Sequence, residues 1–340
     1  MNAVIRYNIA LVLEECLPPA LVSLLRQAGQ VAAQYGYSVF LVGGVVRYLL
    51  LGRASLDMDL AVEGDAIKLA RRLARQVGGR VVAHPAFGTA KLTQGQWSLD
   101  LATARSETYS RPGALPTVQP GTIEADLVRR DFTVNALALD LKPDSYGKLL
   151  DPHGGRQDLE LGLIRVLHER SFTDDATRIF RAIRYEQRLG FRIEPATEAW
   201  LRRDLSMLST VSGDRIRHEL ELMLREAQPE RMLLRAGELR VLEALHPSLK
   251  ADEWLATRFE EARRVALSSK EANTLYLCLL FYRLTPEEGQ QIIDRLNFPR
   301  SLGHSLMGCL ELRDRLPGLA QPDIKPSDIY GLLRKYPAEA

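Results

Sequence analysis

Long apolar runs are missing from this sequence. A membrane-spanning helix needs about 18 or more consecutive apolar residues, and the apolar segment 9–25 is broken by Glu14, Glu15, Pro18 and Pro19. This segment also lacks the basic n-region and the small-residue cleavage site of a secretory signal peptide. We therefore expect neither a membrane span nor a secretory signal, and we predict a cytoplasmic protein.

Cysteine and lysine are both scarce. Cys16, Cys278 and Cys309 lie far apart without a CxxC spacing, which argues against a thiolate zinc site and a disulfide framework. Eight lysines stand beside 37 arginines among the 45 basic residues, and the formal net charge is only +2. This balance gives no globally basic surface. Arginine, however, binds phosphates and base edges in a bidentate way that lysine cannot.

Several common catalytic motifs are also absent. The sequence contains no GxxxxGK[ST] loop, no GxGxxG fingerprint and no GxSxG elbow. These absences argue against P-loop hydrolysis, dinucleotide oxidoreduction and an α/β-hydrolase mechanism. None of the six histidines is followed by aspartate, so an HD-type metal phosphohydrolase finds no support either.

The two halves of the chain carry different hydrophobic periodicities. Short strand-like runs alternate with helical spacing up to about residue 150, as in Ser38–Val42, Leu56–Val62 and a predicted hairpin around Gly95. After about residue 158 the apolar residues recur at helical spacing. We predict an α+β fold in which a small mixed sheet with flanking helices is followed by an all-α remainder. A chain of 340 residues suits two to three domains.

Two further stretches carry local signatures. Asp65 is the predicted cap of a helix that runs through Val77 and stops at Gly78-Gly79. Segment 106–121 contains Pro112, Pro116, Pro120, Gly113 and Gly121, and we predict a long loop there. Loops of this length are usually functional or disordered.

An acidic pair follows a glycine pair. Asp57 and Asp59 lie two residues apart on a predicted strand, so both carboxylates project from one face and Met58 from the other. Carboxylates at this spacing can share hard cations, and magnesium is bound through one or two of them plus substrate phosphates. Gly43-Gly44 marks a strand-to-helix turn where backbone amides can approach an anion, and Arg47 lies one turn into that helix. The combination predicts a metal and phosphate site.

Two later segments concentrate arginine. In RRDFTVNALALD, Arg130 and Asp131 precede an apolar stretch, which is typical of a helix start with a charged first turn. In FTDDATRIFRAIRYEQRLG, the arginines fall within about a third of a helix circumference; they are Arg178, Arg181, Arg184 and Arg188. Four positive charges on one side of a helix repel one another, so an anionic group is expected to face them.

Asp175 lies three residues before Arg178, and we predict that the two are helical neighbours. A carboxylate and a guanidinium together offer the acceptor and the donors that read the Watson–Crick edge of a base. An ordinary intrahelical salt bridge is the alternative interpretation.

Four segments together resemble successive motifs of the bacterial-type (class II) tRNA nucleotidyltransferase and poly(A) polymerase family. They occur in the family's order within residues 36–225 and read LVGGVVRYLLLGRASLDMDLAV, DLVRRDFTVNALALD, LLDPHGGRQDL and SFTDDATRIFRAIRYEQRLGF. The resemblance implies a polymerase-β-like catalytic nucleotidyltransferase head over residues 1–150. An all-α remainder is then expected, with a base-recognising neck at 151–215, a tRNA-binding body at 216–310 and a short tail at 311–340.

The resemblance also implies an activity. A family member adds C and A residues, or one of the two, to the 3′ end of tRNA without a nucleic-acid template. The substrates would be CTP and ATP, pyrophosphate would be released, and the cofactor would be Mg²⁺ in a two-metal mechanism. The implied partners are tRNA and these nucleotides, with no membrane and no protein partner.

Residue roles follow from the same resemblance. Asp57 and Asp59 would hold the metals as the catalytic pair, and Asp100 would supply a third carboxylate. The residues implied in nucleotide binding are Gly44, Arg47, Arg130, Asp175, Arg178, Arg181 and Arg184. Among these, Asp175 and Arg178 would form the amino-acid template for the base.

The sequence leaves the added nucleotide open. Asp174-Asp175 stands where many family members have Glu-Asp, and the sequences of segments 105–122 and 165–178 resemble the A-adding branch. Complete CCA addition and A-only addition therefore both remain, and a poly(A) polymerase acting on general RNA is a third alternative. An inactive tRNA-binding relative is the alternative outside the enzymes.

Overall fold

The structure is a computed structural model that describes residues 9–111, 113–114, 116–265, 269–319 and 325–334. The chain divides into two compact units. The first comprises Met1–Ser110 and Leu115–Glu169, and the second comprises Arg111–Ala114 and Arg170–Ala340.

The first unit combines helices with a mixed sheet. Its helices and strands in chain order are α1 (Ile9–Cys16), α2 (Pro19–Gln34), β1 (Ser38–Val42), α3 (Gly44–Leu50), β2 (Met58–Glu63), α4 (Ala66–Val77), β3 (Arg80–His84), β4 (Thr89–Gln94), β5 (Trp97–Thr103), β6 (Arg105–Thr108), β7 (Thr117–Pro120), α5 (Ile123–Val128), β8 (Ala138–Asp140), β9 (Leu149–Leu150), α6 (Gly155–Leu161) and β10 (Leu163–Ile164).

The main sheet has the strand order β3-β4-β5-β2-β1-β8-β9. β2 and β5 run parallel, whereas β1 is antiparallel to both β2 and β8. β4 and β5 form the hairpin predicted around Gly95, with Gln94 opposite Trp97. The prediction of a mixed sheet in an α+β fold is therefore confirmed.

Alternation along β2 assigns its side chains to two faces of the sheet. Met58, Leu60 and Val62 are buried on the face that packs against α4. Ala61 belongs to a separate buried cluster with Ile123 and other side chains of β1 and α5 on the opposite face. Asp59 shares the face of Ala61, so the acidic pair lies on the α5 side of the sheet.

Local sequence explains the boundaries of α4. The Asp65 carboxylate accepts a hydrogen bond from the Lys68 amide at 2.9 Å, which satisfies an unpaired N–H of the first turn. Gly78 ends the helix in the left-handed conformation at φ 74°, which glycine adopts at little cost. The predicted helix from Asp65 to Val77 is confirmed.

The second unit is almost entirely helical in its described part. Its elements are α7 (Ser171–Asp174), α8 (Thr177–Leu189), β11 (Arg192–Ile193), α9 (Pro195–Arg203), α10 (Gly213–Leu224), α11 (Pro229–Glu238), α12 (Val241–Leu245), α13 (Glu253–Val265), α14 (Ser269–Phe281), α15 (Pro286–Arg295), α16 (Arg300–Arg313), α17 (Leu316–Leu319) and α18 (Pro326–Leu333). Helix α8 packs against α10 and α11, and α14 packs against α13 and α16.

Three local expectations need correction. Arg130 and Asp131 follow α5 instead of beginning a helix, because Phe132 is extended and Thr133–Asn135 forms only a 3₁₀ turn. The predicted loop 106–121 contains most of the hairpin of β6 and β7, and its Pro112 lies outside the described residues. Two-residue strands, β10 and β11, also occur after residue 158.

The first unit extends to Glu169, beyond the expected head boundary at 150, and the expected neck, body and tail remain predictions.

Within the described ranges, none of the helices combines the length and the apolar character that crossing a bilayer requires.

Candidate active site

Three carboxylates, which together form the acidic cluster, meet on the α5 face of the sheet; they belong to Asp57, Asp59 and Asp100. Asp57 directly precedes β2, Asp59 lies on β2, and Asp100 lies on β5 in register with Asp59. One oxygen from each carboxylate lies within 4.8 Å of the others. Oxygen-only donors at this spacing fit a hard divalent cation such as Mg²⁺ or Mn²⁺, and the predicted projection of Asp57 and Asp59 to one side is thus observed.

Burial and like charge perturb the central carboxylate. The surrounding protein desolvates Asp59, and the neighbouring Asp57 and Asp100 add repulsion, so that its pKa rises from 3.8 to about 6. Arg130 and Lys91 act in the opposite direction with smaller effect. A cation between the carboxylates would remove this repulsion.

A lysine lies next to the third carboxylate. Lys91 on β4 is the cross-strand partner of Asp100, and its Nζ donates to Asp100 Oδ2 at 3.0 Å. This hydrogen bond is the largest cause that raises the pKa of Lys91 above its ordinary value. Lys91 was not among the residues predicted from the sequence, although the predicted hairpin around Gly95 gives this pairing once its register is counted outward from the turn.

The glycine bend lies against the acidic cluster. Gly43 has a φ of 75°, a left-handed conformation that favours glycine. A Cβ at Gly43 would stand 3.1 Å from Arg130 Nη1 and 3.9 Å from Asp59 Oδ2. Because Gly43 has no side chain, the bend leaves space for Arg130 beside Asp59. The sequence could not reveal this close approach of Arg130 to the bend.

Asp126 holds the two consecutive arginines. Its Oδ2 accepts from Arg130 Nη2 at 2.8 Å, and its Oδ1 accepts from Arg129 Nη2 at 2.7 Å. Burial by itself would raise the pKa of Asp126, but Arg130 and Arg129 outweigh it and hold that pKa below its usual value. The spacing of four residues between Asp126 and Arg130 was the available sequence signal for this contact.

Buried polar side chains of the first unit position the guanidinium of Arg47. Its guanidinium donates to Asn135 Oδ1, and Asn135 Nδ2 donates to Asp131 Oδ1 at 2.9 Å. All three side chains are buried. Gly44 begins α3, and a Cβ there would lie 3.5 Å from Arg47 Nη2. Asn135 therefore fixes the guanidinium of Arg47, a predicted site residue. The sequence pattern assigned no role to Asn135.

Some of these groups line one cavity. Its volume is about 390 Å³, and it is lined by residues that include Asp59, Asp100, Lys91, Arg129 and Arg130. Carboxylates and guanidinium groups in one cavity provide for a metal ion and for phosphate oxygens together.

Asp175 lies in the second unit, just outside a helix. Its backbone is extended, with φ −145°, and α8 begins only at Thr177. Its Oδ1 accepts from the Thr177 amide at 3.0 Å and hydroxyl at 2.7 Å, and its Oδ2 accepts from Arg215 Nη2 at 2.8 Å. The prediction that Asp175 and Arg178 are helical neighbours is therefore wrong, because Asp175 precedes the helix and its carboxylate accepts from the amide two residues on, as in an Asx turn.

The arginine stripe of α8 faces carboxylates of its own unit. Glu219 on α10 pairs with Arg184 at 3.1 Å and with Arg181 at 3.6 Å, and Glu226 pairs with Arg188. Arg178 is buried near the start of the helix. The anionic partner that the sequence required is thus largely supplied from within the fold.

Two family models match the chain. The Poly A polymerase head domain matches residues 39–165, and the Probable RNA and SrmB- binding site of polymerase A matches residues 190–253. The first match contains the acidic cluster and the glycine bend.

Three known proteins illustrate the similarity. The A-adding tRNA nucleotidyltransferase of Geobacter sulfurreducens is 43% identical over 336 residues, which cover 94% of this chain and 38% of that protein. The CC-adding tRNA nucleotidyltransferase of Deinococcus radiodurans is 43% identical over 191 residues, 56% of this chain and 50% of that protein. A solved structure of a CCA-adding enzyme in an apo form is 34% identical with a TM-score of 0.87, covering 98% of this chain and 80% of that one.

The overlap with these relatives is uneven. The chain spans 38% of the length of the Geobacter sulfurreducens relative, but it spans four-fifths of the solved CCA-adding enzyme at 34% identity. Both family models lie in the order that the four sequence motifs predict. The chain belongs to the tRNA nucleotidyltransferase and poly(A) polymerase family.

Proposed function

We propose that this protein is a template-independent RNA nucleotidyltransferase that adds C residues, A residues or both to the 3′ end of tRNA. CTP and ATP are the proposed substrates, pyrophosphate is the second product, and the cytoplasm is the proposed location. The observation that carries the proposal is the cluster of Asp57, Asp59 and Asp100 beside the Gly43 bend and Arg130.

Mg²⁺ is the proposed cofactor, held by Asp57 and Asp59 with Asp100 as a third ligand. The donor set supports this assignment, because all three donors are carboxylate oxygens within 4.8 Å of one another. When bound, divalent cations lower the pKa of an attacking hydroxyl and neutralise charge on the triphosphate.

The proposed triphosphate contacts come from Gly44, Arg47 and Arg130. Arg130 is supported by Asp126 at 2.8 Å, and Arg47 is supported by Asn135. Guanidinium groups held in this way lose little side-chain entropy when an anion binds, so they present fixed donors to phosphate oxygens.

Base recognition is assigned to the second unit. Asp175 and Arg178 are the proposed template for the base, with Arg181 and Arg184 in support. Thr177 occupies Oδ1 of Asp175 with two hydrogen bonds. Oδ2 accepts from Arg215 and keeps acceptor capacity for an amino group of a base.

Sequence identity to the relatives does not distinguish A addition from C addition. The identity is 43% both to an A-adding and to a CC-adding enzyme, although the A-adding match extends over 336 residues and the CC-adding match over 191. We therefore keep complete CCA addition and A-only addition as products of the same proposed reaction.

One incorporation assay tests the proposal. Three tRNA substrates, one without the last three nucleotides, one without only the terminal A and one complete, are each incubated with labelled CTP, ATP or both. We expect addition that stops at or before the mature CCA end, from either the first or the second substrate. Long A tails on the complete tRNA would instead identify a poly(A) polymerase. Binding without incorporation would contradict the proposal and identify a tRNA-binding protein.

A further inference from the structure

Lys91 belongs to a row of side chains that crosses three neighbouring strands. Register places Asp59 of β2 beside Asp100 of β5, and Asp100 beside Lys91 of β4. Residues paired in register project from the same face of a sheet. The ammonium group therefore lies at the end of the carboxylate row, on the cavity side.

The contact is direct and accessible. Lys91 Nζ lies 3.0 Å from Asp100 Oδ2, with 49% of the lysine side chain and 40% of the aspartate side chain exposed. Arg130, also in the cavity, is engaged by Asp126. Lys91 is thus a cation that contacts the acidic cluster through a flexible four-carbon stem, and the pair can open without disturbing the core.

An ammonium and a divalent cation compete for the same carboxylate. The hydrogen bond of Lys91 occupies one oxygen of Asp100, and its positive charge opposes a second positive charge a few ångströms away. In the absence of a metal, the same charge relieves repulsion among three carboxylates whose oxygens lie within 4.8 Å. Both effects depend on the charge of Lys91 and on its reach to Asp100.

We propose that Lys91 is a resident counter-cation that holds Asp100 in the metal-free protein and gives up this carboxylate to an incoming divalent cation. It is a positioning residue, and it sets the metal affinity of the cluster. The inference rests on the proposed function for the identity of the metal site, but not on which nucleotide is added.

Mn²⁺ titration of the full chain without nucleotide tests the proposal, with bound metal read by electron paramagnetic resonance. The variants are Lys91→Met, Lys91→Arg, Asp100→Asn and the double variant Lys91→Met with Asp100→Asn. Lys68→Met is the matched control, since Lys68 is an exposed lysine paired with Asp65 on α4. Melting temperature is measured for each variant in EDTA and in Mn²⁺.

We expect Lys91→Met to bind Mn²⁺ roughly fivefold more tightly than the unmodified protein, because one nearby positive charge is removed. Its melting temperature should fall in EDTA and recover in Mn²⁺. Lys91→Arg and Lys68→Met should keep the original affinity. In the Asp100→Asn background, removing Lys91 should change the Mn²⁺ affinity by less than about twofold, since the contested carboxylate is gone.

Two outcomes overturn the inference. Unchanged or weaker Mn²⁺ binding by Lys91→Met would show that Lys91 does not compete with the metal. If Lys91→Met tightened Mn²⁺ binding equally in the Asp100→Asn background, Lys91 would act through long-range charge alone. Asp100 would then not be the carboxylate that the lysine gives up to the metal. A failure of nucleotide addition by the unmodified protein, with these binding results intact, would overturn the proposed function alone.

Discussion

At the scale of single residues, the acidic cluster combines groups from two distant segments of the chain. Asp57 and Asp59 follow from strand alternation, and Asp100 enters because β5 lies parallel to β2 with Asp59 and Asp100 in register. Alternation is a local property, whereas register between distant strands depends on the whole sheet. For this reason the sequence predicted the pair from its own pattern and reached the third carboxylate only through a family resemblance.

Replacement of Asp59 by Asn should abolish nucleotide addition. The amide removes one of the anionic oxygens that the proposed metal site requires, and we expect incorporation of labelled nucleotide to fall by at least about a thousandfold. The melting temperature should not fall, because the substitution also removes repulsion with Asp57 and Asp100.

Asp65→Asn is the matched control for this prediction. Asp65 caps α4 through Lys68, asparagine is an equally good cap, and activity should be retained. Nucleotide incorporation by Asp59→Asn within about tenfold of the unmodified rate would contradict the catalytic assignment.

The pKa of Asp59 predicts how metal binding depends on pH. This pKa is about 6 in the folded protein against 3.8 for an unperturbed aspartate, so the metal-free protein loses stability as pH rises between these two values. Metal binding requires the ionised form and therefore strengthens as pH rises through about 6. The rise in melting temperature on adding Mn²⁺ should be larger at about pH 7.5 than at about pH 5. An equal rise at both pH values, or the same pH dependence in Asp59→Asn, would contradict this prediction.

At the scale of elements, α8 and α10 form one charge-paired layer. The sequence predicted the arginine stripe correctly from helical geometry, but it could not predict which carboxylates would face it. Glu219 and Glu226 lie 35 and 38 residues from their partners Arg184 and Arg188. The packing against α8 of α10, which carries Glu219, and of the residues that directly follow it, which include Glu226, brings them into contact.

Loss of Glu219 should destabilise the second unit. Its carboxylate is buried beside the buried Arg184, and removing one partner of a buried ion pair leaves an uncompensated charge. We expect Glu219→Ala to lower the free energy of unfolding by about 3 kcal/mol in urea. Glu226→Ala is the control, because the partner Arg188 is more exposed and the expected loss is about 1 kcal/mol or less. Equal losses for both variants would contradict this difference in burial.

The segment before α8 shows where sequence reasoning failed for a physical reason. Spacing of three residues suggested that Asp175 and Arg178 share a helix. Asp175 instead accepts hydrogen bonds from Thr177 and Arg215. Aspartate competes for backbone amides and so favours a position before a helix over one inside it.

Changing Asp175 should alter nucleotide choice more than metal binding. Asp175→Ala removes the acceptor proposed to read the base, and we expect the ratio of ATP to CTP incorporation to shift by about tenfold. Mn²⁺ affinity should stay unchanged, since the acidic cluster belongs to the other compact unit. Unchanged discrimination in single-nucleotide incorporation assays would show that the base-template assignment is wrong.

At the scale of the whole molecule, the division into an α/β part and a helical part followed from periodicity alone. Strand alternation and helical spacing are properties of short windows, so the fold class was accessible from one sequence. Asn135 was not recognised as a supporting residue, because its partner Arg47 lies 88 residues away in the chain. Asp126 lies only four residues before Arg130, so its contact was accessible from helical spacing.

The most direct test of the central claim is anomalous diffraction from crystals of the full chain grown with MnCl₂. We expect a peak within about 2 to 2.3 Å of carboxylate oxygens of Asp57 and Asp59, and no such peak in Asp59→Asn. An empty acidic cluster in the unmodified protein at saturating Mn²⁺, or manganese bound only at other residues, would contradict the claim that these carboxylates hold the catalytic metal.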